Sequence, residues 1–129
     1  MILSLETRPD NAAEPVSYFD PKQRPVDLTH LSRYTMGNTV VEREVLQLFR
    51  RQTRVYLDKL GHADNVEAWQ NAVRVLKASA HSVGAWRLLH VAEEAEQLLP
   101  DRFPAARLEF QENLAGQVDE ANVFIDSIL

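Results

Sequence analysis

The side chains of greatest chemical reach in this chain are four histidines, His30, His62, His81 and His90, and cysteine is absent. An imidazole titrates near neutral pH, so it can serve as nucleophile, general base or metal ligand. The missing thiol excludes disulfide staples, thiolate metal sites and a cysteine nucleophile. His30, His62 and His90 share no local spacing, and neither a His-x-x-x-His pair nor a Glu-x-x-His pair with a matching partner occurs. No metal and no other cofactor is therefore expected. Glu93, Glu94 and Glu96, with Arg87 nearby, read as a solvated charged face rather than a carboxylate dyad. Trp69 and Trp86 fall at expected helix beginnings on apolar faces, where core or turn packing is the expected role.

The fourth histidine belongs to a row. Gln70, Arg74, Lys77 and His81 follow one another at spacings of four, three and four. At about 100° per residue they occupy a sector of roughly 60° on a helix. A partner lying across that helix would touch all four; the simpler reading is the solvated flank of an amphipathic helix. The stretch Trp69-Gln70-Asn71-Ala72-Val73-Arg74-Val75-Leu76-Lys77-Ala78-Ser79-Ala80-His81-Ser82-Val83-Gly84-Ala85-Trp86 resembles the central motif of histidine-containing phosphotransfer (HPt) domains, the single-domain bacterial forms in particular. That motif runs His, any residue, Leu, Lys, Gly, Ser, and continues through a Gly-Ala turn into the next helix. Leu76, Lys77, Ser79 and Gly84-Ala85 match it, whereas Arg74 stands at the phospho-histidine position and Ala78 at the glycine. Asp27-Leu28-Thr29-His30-Leu31 and Glu42-Arg43-Glu44-Val45-Leu46-Gln47-Leu48-Phe49 are similar to the family's opening helices. The resemblance thus covers about residues 26 to 129.

The resemblance implies a module of a two-component phosphorelay whose partners are a response-regulator receiver domain or a histidine kinase. In the family the histidine carries a phosphoryl group between receiver aspartates. Arginine cannot do this, because its guanidinium stays protonated and has no lone pair for attack. Lys77, which in the family balances the phosphorylated side chain, is left with nothing to serve. A receiver's phosphorylation pocket is acidic, however, so a cation at the centre of the docking face can pair with it. The expectation is a non-catalytic binding module, a pseudo-HPt, with Gln70, Arg74, Lys77, Ala78 and His81 as its partner-binding residues. The alternative is an active phosphotransfer protein using His81 as a displaced phosphoacceptor, about 10 Å along the helix axis from Arg74. A third reading is an unrelated bundle that binds something else.

Helices must position this row, and the apolar spacing supplies them. Pro9, Pro15, Pro21 and Pro25 crowd residues 1–26, which read as an extended or mobile N-terminal arm able to pack through Val16, Tyr18 and Phe19. Residues 27–129 read as the folded domain. Asp27 is a candidate cap for a short helix from Leu28 to Met36, stopped by Gly37-Asn38. Thr39 then caps a long helix with Val41, Val45, Leu48, Phe49, Tyr56 and Leu60 near one stripe, ended by Gly61. After Asn65, the positions Val66, Trp69, Val73, Leu76, Ala80 and Val83 alternate steps of three and four to the break at Val83-Gly84-Ala85. Leu88, Val91, Ala95 and Leu98 form the next stripe, toward Pro100. Following Asp101 and Pro104, the last stripe is Phe110, Leu114, Val118, Ala121, Ile125 and Ile128. The expected fold is all-α, an antiparallel up-down four-helix bundle with an additional short N-terminal helix and the arm.

The whole chain is compatible with that plan. Its 129 residues suffice for one domain and its 45% hydrophobic, 26% charged composition is that of a globular protein. Fourteen Lys and Arg against nineteen Asp and Glu leave a net charge of −5, which argues against nucleic acid as a partner. Met1-Ile2-Leu3-Ser4-Leu5 meets Glu6 at once, too short an apolar start for a secretory signal, and no run approaches the roughly 18 apolar residues of a membrane span. A cytoplasmic chain without a membrane partner is the expectation.

Overall fold

A computed structural model describes residues 24–98 and 100–129. Val16, Tyr18 and Phe19 of the expected arm lie outside them. Among the described residues the regular structure is entirely helical, in five helices: α1 Leu28–Tyr34, α2 Thr39–Gly61, α3 Val66–Val83, α4 Trp86–Glu96 and α5 Phe103–Ile128. Helix α3 packs against α1, α2 and α4, while α5 packs against α2 and α4. Among the described residues the first fully buried one is Val26, and Arg24 lies over the Phe124 ring of α5.

The short helix starts as its cap predicts, with Asp27 Oδ1 accepting from the His30 backbone N–H at 3.1 Å. It ends at Tyr34, two residues before the expected Met36, because Met36 and Gly37 both take positive φ, 53° and 74°. The cap of α2 is Asn38 rather than Thr39: its Oδ1 accepts from the N–H groups of both Val40 and Val41. Along α2 the buried residues are Leu46, Phe49, Thr53 and Leu60, with Val45 and Tyr56 at the margin of the core. Val41 and Leu48, expected on the stripe, are 36% and 46% exposed. The core face passes through a polar residue, Thr53, whose hydroxyl donates to the Phe49 carbonyl at 2.8 Å and lies 3.3 Å from the Asn122 amide nitrogen. A satisfied hydroxyl can be buried at small cost.

Helix α3 follows its expected stripe. Asn65 caps it through the Ala68 N–H, and Trp69, Val73, Leu76, Ala80 and Val83 are all fully buried. Burying Val73, Leu76 and Val83 contributes about 2 kcal/mol each. Gly84 ends the helix at φ 72°, where an L side chain is strained. A second constraint acts there, since a Cβ on Gly84 would stand 2.6 Å from Asp27 Cβ. The Asp27 N–H donates to the Gly84 carbonyl at 3.0 Å, joining the start of α1 to the end of α3.

Side chains satisfy carbonyls at the C-terminal ends of α2 and α4, whereas α4 and α5 begin without a side-chain cap. Two carbonyls at the end of α4 accept from α3: Ala95 O from Trp69 Nε1 at 3.0 Å and Glu96 O from Gln70 Nε2 at 3.1 Å. Arg107 of α5 donates to the carbonyls of Leu60, in the last turn of α2, and Ala63, just beyond it, while its guanidinium lies 4.7 Å from the Phe103 ring centre. On α4, Leu88, Ala92 and Ala95 are buried and Val91 is only partly so. On α5 the core residues are Phe103, Leu114, Val118, Ala121 and Ile125, with Ile128 exposed.

Candidate functional site

The row on α3 is present, and its members meet different surroundings. Arg74 is exposed, with 55% of its side chain open against 36% for Lys77. Its Nε donates to Glu96 Oε2 at 3.0 Å, and its Nη1 donates to Asn71 Oδ1 at 3.1 Å. Lys77 Nζ donates to the other oxygen of the same carboxylate, Glu96 Oε1, at 2.7 Å. Gln70 reaches the Glu96 backbone carbonyl. Three members of the row therefore converge on a single residue of α4.

Glu96 corrects two expectations. It is not part of a solvated acidic face, because only 22% of its side chain is exposed and both oxygens are engaged. Nor is Lys77 without a partner. The Lys77 ammonium holds the Glu96 carboxyl below the usual glutamate range, against the opposing effect of partial burial and with help from the Arg74 guanidinium. The row is thus less cationic at its centre than its own residues suggest. Periodicity along α3 had no means of showing this, since Glu96 lies 22 residues from Arg74 and meets it only through the packing of α4 on α3.

His81 sits apart from that ion cluster, in the last turn of α3. It is exposed, and its ring lies edge-on to His30 at 5.5 Å and to Trp86 at 6.0 Å. The His81 carbonyl accepts from His30 Nε2 at 2.8 Å, which requires the hydrogen of His30 to be on Nε2 in the neutral ring. Trp86 donates through Nε1 to Asp27 Oδ2 at 2.9 Å. Burial of Asp27 pushes its carboxyl upward, but the bond from Trp86, followed by that from the His30 N–H, leaves it below the usual aspartate range. These four side chains bind α1 to the α3–α4 turn, giving Trp86 a packing role. Trp69 is fully buried beneath α4.

Ala78, the remaining member of the expected surface, is exposed on the side of α3 that faces α2. It lines a cleft of about 140 Å³ with Val45, Leu48, Phe49, Gln52, Ser79 and Ser82. His62 and His90 are exposed on other elements: His62 Nδ1 donates to the Asp58 carbonyl, and His90 lies 3.6 Å from Glu94. Among the described residues no three His, Asp or Glu side chains are grouped to hold a metal ion, and no helix is long and apolar enough to cross a membrane.

What this arrangement can do chemically follows from its donors. Arg74 and Lys77 present N–H groups and positive charge side by side and hold a carboxylate between them. At position 74 there is no nucleophile. No family model matches the chain, and neither the curated proteins nor the solved structures compared with it provide a match.

Proposed function

We propose that this chain is a degenerate HPt-like signalling module, which binds a receiver or histidine-kinase domain of a two-component pathway without accepting phosphate at position 74. In this reading α2, α3, α4 and α5 form an antiparallel up-down four-helix bundle, α1 is the additional short helix, and the protein works in the cytoplasm. The closed circuit of packed pairs, α2 with α3, α3 with α4, α4 with α5 and α5 with α2, supports that arrangement. One observation carries the functional reading: an exposed arginine on α3, flanked by Lys77, at the position that the motif resemblance aligns with the family's phosphorylated histidine. It is suited to enter an acidic pocket and unable to react there.

The test is binding to purified receiver domains by calorimetry at low and high salt. Arg74→Ala weakens binding at least about tenfold, the loss of ~1.4 kcal/mol expected when a charged anchor is removed. Arg74→Glu weakens it further, and added salt weakens the native chain most. Equal affinity of all three proteins overturns this docking mode. Incubation with a phosphorylated receiver, followed by mass spectrometry, leaves position 81 unmodified; acid-labile phosphate on His81 would instead establish the phosphotransfer alternative.

A further inference from the structure

Glu96 stands where a carboxylate has least reason to be. It is the last residue of α4, and the negative end of a helix dipole disfavours an anion there. Yet it is turned onto α3, with one oxygen on each of two cations at 2.7 and 3.0 Å. Gln70 fixes the point from which the side chain starts by bonding the Glu96 carbonyl. Asn71 independently holds the Arg74 guanidinium at 3.1 Å, so the arginine keeps an oriented partner when the carboxylate leaves.

We infer that Glu96 is an intramolecular ligand occupying a carboxylate-binding position formed by Arg74 and Lys77, and that an acidic partner docks by displacing it. This rests on the reading of α3 as a docking face and adds its regulation. The partner it fits presents at least two clustered carboxylates, since one carboxylate would merely exchange for another. Displacement requires rotation of one partly exposed side chain and leaves α4 in place. While Glu96 is seated, the binding-competent population is reduced, and every competing acid binds more weakly by that fraction. Exposed ion pairs of this kind make the reduction about three- to tenfold.

Titration of the full chain with malonate, a compact dicarboxylate, tests the inference, followed by NMR at the Arg74 Nε–H. Glu96→Gln binds malonate about three- to tenfold more tightly than the native chain, and Glu96→Asp, which keeps the charge but shortens the reach, falls between them. Glu93→Gln makes the same change in net charge on the same helix and leaves the affinity unaltered. Adding Arg74→Ala to Glu96→Gln abolishes the gain. Equal affinity of native and Glu96→Gln chains, a matching gain in Glu93→Gln, or a gain that survives Arg74→Ala each overturns the inference. Receiver domains titrated in parallel separate this from the functional reading: a malonate gain with no receiver bound by either chain retains the displaced ligand and rejects the receiver as partner.

Discussion

Gly84 joins two demands that no other residue type meets together. Its φ of 72° is left-handed, and the space that a Cβ would enter is already filled by Asp27. Gly84→Ala therefore suffers both backbone strain and a displacement of the α1 cap, and a loss of about 2 kcal/mol or more is expected in urea unfolding. Thr53 makes a contrasting case. Replacing it with Val keeps the shape but removes the oxygen facing the Asn122 amide. The expected cost is about 1–2 kcal/mol, most of it from the amide left without that acceptor; Thr53→Val combined with Asn122→Leu recovers part of it, and thermal melts of the single and double variants check this. The residue motif around Arg74 is legible in sequence because its spacing is local. Glu96 is not, because nothing within a turn of it marks a partner on another helix.

At the scale of an element, the start of α2 separates two readings that sequence leaves adjacent. Both Asn38 and Thr39 are good cap residues, but only the Asn38 carboxamide oxygen receives backbone N–H groups. Asn38→Ala is expected to destabilise the chain by about 1 kcal/mol, whereas Thr39→Ala changes stability by a few tenths, both measurable by chemical denaturation. The stripe of α2 was hard to read for a related reason. Hydropathy marks Val41 and Leu48 as core candidates, and the core instead takes Leu46 and Thr53, because the covering helices rather than the pattern decide which flank is closed. On α3 the large apolar residues other than Val75 fall on one face, which leaves little choice. That helix is enclosed by three others, and its sequence repeats the demand at every turn.

For the whole molecule, two carboxylates link packing to pH. Asp27 and Glu96 both have lowered folded-state pKa values, so the unfolded chain takes up their protons first as pH falls. Their stabilising contributions are complete above the unfolded values of about 3.9 and 4.3 and disappear as pH drops through the lower folded ones. The urea midpoint is thus expected to hold steady down to about pH 5 and to fall below it. Asp27→Asn and Glu96→Gln each make that fall shallower, and a double variant makes it shallowest. An unchanged acid profile in both would show that other carboxylates govern it.

The sequence by itself determined the helical class, the position of the α3 apolar face, the Gly84 break and the absence of a nucleophile at position 74. These depend on chemistry within a few residues, where caps, left-handed glycines and steps of three and four act locally. Only the tertiary structure decided that Thr53 belongs to the core and that Glu96 closes over Arg74 and Lys77. Each of those depends on which surfaces meet, and contacts between residues distant in the chain are set by how whole helices pack.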